Sequence, residues 1–221
     1  GLLSFGHAAY FGGASYVAAH TAKVWGLTPE LSILAGTAAA AFLGLVIGSL
    51  SIRRQGIYFA MVTLAFAQMV YFLALQLPFT GGEDGIQSVP RGKLFGLISL
   101  ENNIALYFFV LAITFGGILF LYRIVHSPFG QVLKAIRENE PRAISLGYNV
   151  SRYKLIVFVL SATFAGLAGA TKSQVFQLAS LTDVHWSMSG EVVLMTLLGG
   201  MGTIFGPLLG GAMIVTMQNY L

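Results

Sequence analysis

Cysteine is absent and charge is scarce: of 221 residues, only 9% are Asp, Glu, Lys or Arg. The first absence excludes a disulfide framework, a thiolate-bound metal and thiol redox chemistry, and leaves the compartment open. The second excludes an ordinary soluble domain, in which about a quarter of residues are charged. The four histidines, His7, His20, His126 and His185, are scattered without metal-ligand spacing. No GxxxxGK[ST] loop, HExxH helix, GxSxG elbow or paired intramembrane carboxylate occurs. Nothing here builds a nucleotide cradle or a catalytic centre, so the chain reads as a non-enzyme with no metal and no cofactor of its own. The net charge of +4 forms no basic stripe interleaved with aromatics, which argues against nucleic acid. There is no signal-peptide pattern either. Gly1 opens directly into an apolar run and the chain stops at Asn219, Tyr220 and Leu221 without a charged tail. The expectation is a single membrane domain over 1–221, cut from a longer protein at both ends.

What is present is apolar: 56% of residues are hydrophobic, the mean hydropathy is +0.79, and 27 residues are glycine. Glycine at that frequency suits membrane helices that pack closely. A bilayer core needs about 20 mostly apolar residues per helix. Six stretches approach that length, at 2–22, 31–50, 56–77, 104–125, 155–172 and 191–221. The reading is an all-α polytopic bundle of about six spans. The last stretch carries Gly199, Gly200, Gly202 and Pro207, so it is expected to be broken or re-entrant.

Cytoplasmic loops are enriched in Lys and Arg. With the first span starting inside, the inner segments hold Arg53, Arg54, Arg123, Lys134, Arg137, Arg142, Arg152 and Lys154. The outer segments hold Lys23, Arg91, Lys93 and Lys172, together with Glu30, Glu83, Asp84, Glu101, Asp183 and Glu191. This places the first residue towards the cytoplasm. Small residues recur every fourth position at Gly36, Ala40, Gly44 and Gly48, at Ala162, Gly166 and Ala170, and at Gly202, Gly206 and Gly210. Such stripes bring backbones together, either to pack the bundle or to line a pathway.

The segment from His126 to Lys154 (126–154) is the most informative. Ser127-Pro128 has the form of a helix start, a cap followed by Pro at the first helical position. Val132, Leu133 and Ile136 mark one face of the helix that follows. A second start stands at Asn139-Glu140-Pro141, and Gly147 suits a left-handed stop. Two short helices would then lie on the cytoplasmic side as a charged and apolar knob.

Here a resemblance becomes specific. Glu140-Pro141-Arg142-Ala143, with Gly147 four residues later, resembles the degenerate "EAA…G" coupling loop of the permease subunits of ATP-binding cassette importers. The surrounding GQVLKAIRENEPRAISLGYNVSRYKL looks like the version in branched-chain amino acid permeases. GLLSFGHAAYFG at 1–12, GIYFAMVTLAFAQM at 56–69, TGGEDGI at 80–86 and GGMGTIFGPLLGGA at 199–212 fit the same family, in order along the chain. Pro141-Arg142 departs from the plain pattern where a small residue would stand.

The resemblance implies a multi-pass subunit of the bacterial inner membrane. A cytoplasmic ATPase subunit, itself binding ATP and Mg, would grip the loop through Arg137, Glu138, Glu140, Pro141, Arg142, Ala143 and Gly147. It also implies a second, related permease subunit, an extracytoplasmic substrate-binding protein, and a small-molecule cargo of branched-chain or related neutral amino acids. Relatives that import urea or short amides share the architecture.

Other residues carry paired readings. Thr80, Gly81, Gly82, Glu83, Asp84 and Gly85 form either a tight turn or a contact for the binding protein or an emerging substrate amine. The acids lack the alternation of a calcium loop. Gly199, Gly200 and Gly202 form either a packing break or a gate. His7, with Ser4 at helical spacing, is an ionisable group inside an apolar stretch, so it is either a pathway residue or a hydrogen-bonded packing residue. His185 and Trp186 suggest an interfacial anchor. Rival classes are an ion-coupled secondary transporter and a passive channel or structural subunit. The first would place charges deep in the spans, which are nearly free of them. The second leaves the two-helix loop without a purpose.

Overall fold

In lipid each backbone polar group needs a partner within the protein, and a chain this apolar meets that demand with helices. The computed structural model describes residues 2–96, 98–203 and 205–220. Gly1, Ile204 and Leu221 belong to the quoted 1–12 stretch, the quoted 199–212 stretch and the last apolar run, and they lie outside the described residues.

The helices are α1 (His7–Lys23), α2 (Pro29–Ser51), α3 (Ile57–Gln76), α4 (Asn103–His126), α5 (Pro128–Glu138), α6 (Glu140–Ser145), α7 (Val150–Phe176), α8 (Trp186–Gly199) and α9 (Gly206–Tyr220). Four two-residue strands, β1 (Ile86–Gln87), β2 (Lys93–Leu94), β3 (Ile98–Ser99) and β4 (Leu178–Ala179), sit in the connections. The helical bundle read from the sequence is therefore present.

Among the described residues, four helices are long and apolar enough to cross a bilayer: α2, α3, α4 and α7. The remaining two of the six apolar stretches take other forms. In the first, residues 2–6 stay non-helical. Gly6 caps α1 against the backbone of Thr63, so α1 has 17 residues and rises about 25 Å, short of a 30 Å hydrocarbon core. The last run breaks after Gly199 and folds back on itself. Gly199 abuts the Gly206 carbonyl and Gly210 abuts the Met195 carbonyl, so α8 and α9 form a close antiparallel hairpin. A β-carbon at any of these glycines would collide with backbone, which is why the break is glycine-rich.

The bundle is packed small inside and large outside. Tyr10, Ala14, Ala18, Ala40, Ala162 and Ala170 are buried in one cluster. Leu34, Phe42 and Phe115 point outward, each at least 66% exposed. A soluble protein would reverse that arrangement, whereas lipid is as good a solvent for phenylalanine as a protein core. The α2 and α7 stripes face each other in antiparallel register: Gly36 meets Ala170, Ala40 meets Gly166, Gly44 meets Ala162 and Gly48 meets Phe158. α1 lies against both, with Gly36 seated on the Ala14 carbonyl and Gly169 on that of Phe11. The first two sequence stripes thus pack the bundle. Threonines within the helices donate back to their own helix, as Thr163 does to Val159 O and Thr171 to Leu167 O, both at 2.7 Å. That disposes of the hydroxyls in an apolar setting.

The connections sort to two ends. At one end the 77–102 and 177–185 segments join, where β1 pairs antiparallel with β4 through Ile86–Ala179 and Gln87–Leu178. Lys23 Nζ donates to Gln87 O at 2.7 Å, Arg91 to Val175 O at 2.8 Å, and Phe95 N to Glu30 Oε1 at 3.1 Å. This strap ties α1, α2 and α7 together. Asp183, nearly fully buried, accepts from Lys172 Nζ at 2.6 Å beside it. The other end carries the 52–56 connection and the pair α5–α6.

Candidate functional site

The α5–α6 segment is built as its punctuation predicts. Ser127 Oγ accepts from Gly130 N at 3.3 Å to start α5, with Pro128 at the first helical position. Asn139 Oδ1 accepts from Arg142 N at 3.1 Å to start α6. Gly147 takes φ +87°, a left-handed stop that a side chain would strain.

Between the two helices lies a small core of Ile136, Ala143 and Val150, with Val132 and Tyr153 packed against it. Phe129 stacks on Tyr153 with ring centroids 5.5 Å apart. The knob is therefore anchored to the first turns of α7. Its outer surface presents Arg137, Glu138, Pro141 and Arg142 beside exposed Ile144 and Leu146. Ala143 faces inward and serves the core, not the surface.

Glu140 turns towards the membrane helices. Its Oε1 accepts from Lys154 Nζ at 2.7 Å, a pair whose side chains are 30% and 14% exposed. Both residues line a cleft of about 540 Å3 shared with His7, Gln55, Arg137 and Ser161. The cleft draws together the α5–α6 knob, the 52–56 connection, the start of α1 and the lower part of α7.

His7 forms part of its wall. His7 Nε2 hydrogen-bonds Ser161 Oγ at 2.8 Å, and the ring meets Tyr10 and Phe158 edge-on. Ser4 Oγ accepts from Gly6 N at 3.1 Å and shapes the entry to α1. His7 is thus hydrogen-bonded and packed against two aromatic rings, and it also borders the cleft.

The Thr80–Gly85 group sits at the opposite end of the bundle. Thr80 Oγ1 donates to Leu77 O at 2.8 Å and to Ala74 O, capping the end of α3. Gly85, at φ +68°, lies against the Ala179 carbonyl, so the turn is fitted to β4. Gly81 and Gly82 complete the turn, and Glu83 and Asp84 are exposed on it. Gly199, Gly200 and Gly202 form the α8–α9 tip. The candidate residues therefore divide into a cleft-and-knob group at one end, a turn at the other, and a separate hairpin tip. Among the described residues no group of His, Asp and Glu is arranged to hold a metal.

Lys154 was legible in the sequence only as one more inner positive charge, since a fourteen-residue separation from Glu140 carries no local signal. Ser161 likewise gave no sign of pairing with His7. Ile144 and Leu146 had a usable signal, as apolar residues within a short polar connection.

The family described as the branched-chain amino acid transport system permease component matches residues 1–221. The high-affinity branched-chain amino acid transport system permease protein LivM of Salmonella typhimurium is 30% identical over 99% of this chain and 57% of its own length, and that of Escherichia coli K12 matches to the same extent. The ribose import permease protein RbsC of Bacillus subtilis is 29% identical over 69% of this chain and 49% of its own length. The chain thus spans little more than half the length of the LivM relatives. No solved structure matches. With a family match running from end to end and LivM relatives aligned over nearly all of it, the chain belongs to the family described as the branched-chain amino acid transport system permease component.

Proposed function

We propose that the chain is the permease domain of an ATP-binding cassette importer, carrying branched-chain or related neutral amino acids across a bacterial inner membrane. The observation that carries the reading is the α5–α6 knob: a short capped two-helix unit, anchored on α7, with a charged and apolar outer surface. That is the surface a cytoplasmic ATPase subunit would grip through Arg137, Glu138, Pro141 and Arg142, while Glu140 is turned inward to Lys154. ATP and Mg would be bound and consumed by that partner. Substrate would reach the far end, where the Thr80–Gly85 turn lies, from an extracytoplasmic binding protein. A second, related permease subunit would complete the pathway.

The end bearing the knob also bears eight basic and two acidic side chains, while the strapped end bears six of the eight acids. That asymmetry supports a cytoplasmic knob. Spans almost free of charge suit a zwitterionic or neutral cargo and disfavour ion-coupled transport. The RbsC relatives favour a second reading, a sugar as cargo on the same scaffold. Urea or short amides remain the other cargo that the architecture accommodates.

The test is purification of the full-length protein from its native membrane in mild detergent, with partners identified by mass spectrometry. An ATPase subunit is expected in the wild-type sample and is expected to be lost or uncoupled in Glu140→Lys. Uptake of leucine, ribose and urea by the reconstituted complex, with and without ATP, separates the cargoes. Recovery of the permease alone, or uptake that follows a proton gradient instead of ATP, refutes the importer reading.

A further inference from the structure

A six-residue helix at the end of a connection makes a poor lever unless something fastens it to the membrane helices. α6 has two fastenings: Ala143 in the small core with Ile136 and Val150, and the Glu140–Lys154 ion pair at 2.7 Å. Among the described residues this ion pair is the polar tie between α6 and α7. Lys154 is 14% exposed, so its ammonium is held against the protein and not waving in solvent.

Its position on α7 matters. One helical turn further along, Phe158 is almost fully buried where several helices meet. Its ring contacts Tyr10 of α1 at 5.9 Å and Phe59 of α3 at 5.7 Å between centroids, and it fills the space above Gly48 of α2. From there the glycine and alanine contacts lock α7 to α2 for several further turns. Interiors packed this closely transmit displacement as a body. α4, by contrast, buries only Leu106 among its described residues.

We propose that Lys154 is a positioning residue for energy coupling: by holding Glu140, it ties α6 to α7 so that movement of α6 is delivered to the Phe158 junction. Without it the loop would swing about the Asn139 and Gly147 boundaries and absorb the movement. The inference rests on the importer reading above and assigns the direction of transmission within it. α1, α2 and α7 would move together, while α4 and the α8–α9 hairpin would be the elements they move against.

The experiment uses the complete transporter, reconstituted in proteoliposomes with its ATPase and binding protein. ATP hydrolysis and substrate uptake are measured together for wild type, Lys154→Gln, Lys154→Met and Lys154→Arg. The ATPase is expected to co-purify with all four and to hydrolyse ATP. In Lys154→Gln and Lys154→Met, ATP consumed per substrate imported should rise about fivefold or more, the low end of coupling between sites. Lys154→Arg should restore the ratio. An unchanged ratio in both neutral variants overturns the proposal. So does an Arg variant that fails like the neutral ones, since that would make the side chain's shape, not its charge, the cause. Should Lys154→Gln fail to insert, Lys154→Met keeps the apolar stem and decides alone. Absence of any ATPase from the wild-type complex would refute the importer reading itself, a separate result.

Discussion

At the scale of single residues, the small side chains decide how close the helices come. Gly166 of α7 faces Ala40 of α2 so closely that a β-carbon there would overlap the alanine methyl. Gly116 of α4 has nothing within 4 Å of where its β-carbon would stand. Both are glycines within spans, which makes them a matched pair. Gly166→Leu is expected to destabilise the bundle by about 1–3 kcal/mol through overpacking, read as a lower thermal midpoint in detergent. Gly116→Leu should leave the midpoint near that of the wild type. Equal losses at both sites would show that glycine conformational freedom, not close approach, sets the effect. The four-residue spacing of Gly36, Ala40, Gly44 and Gly48 was visible in the sequence, and so was the opposite stripe of Ala162, Gly166 and Ala170. What the spacing could not give was the register, Gly36 to Ala170 and Gly44 to Ala162, because that depends on loop geometry far from either stripe. The same limit hid Lys154: a side chain that pairs across fourteen residues looks, in sequence, like any other inner cation.

At the scale of elements, local punctuation was the reliable guide. Ser127-Pro128, Asn139 and Gly147 marked helix boundaries because capping and φ restriction are local effects, and the structure places α5 and α6 at those boundaries. Hydropathy was less informative about length. The run at 191–221 is apolar enough to read as one span, yet it folds into α8 and α9 because Gly199, Gly206 and Gly210 allow backbone-to-backbone contact. A label pair at Met188→Cys and Met217→Cys measures this directly. In one continuous helix the two sites would lie about 44 Å apart. In the hairpin they should fall within roughly 20 Å, allowing for label arms on helices about 10 Å apart. A distance near the longer value would mean that the helices open in the membrane. The opening segment taught the same lesson on a smaller scale, since α1 starts after Gly6, at His7, five residues later than the apolar run that opens at Leu2.

At the scale of the whole molecule, the two ends differ in both charge and construction. One is a cross-braced cap, with β1 on β4 and Lys23, Arg91 and Glu30 as ties. The other is a cleft beneath the two-helix knob that α7 anchors. The sequence carries no cysteine, so single thiols can be placed against a silent background. With Glu83→Cys and Phe95→Cys, a membrane-impermeant thiol reagent should label intact cells. With Arg53→Cys and Ser145→Cys it should label only after permeabilisation. The reverse pattern would invert the molecule and move the ATPase surface to the wrong side. The hairpin adds a consequence of parity to this bookkeeping of sides. A single span at the last apolar run would deliver the chain to the membrane face opposite His185. A fold-back returns Tyr220 to the level of Trp186, so that stretch contributes an even number of passages, and a reporter fused after Tyr220 would share the compartment of one placed at the 177–185 connection.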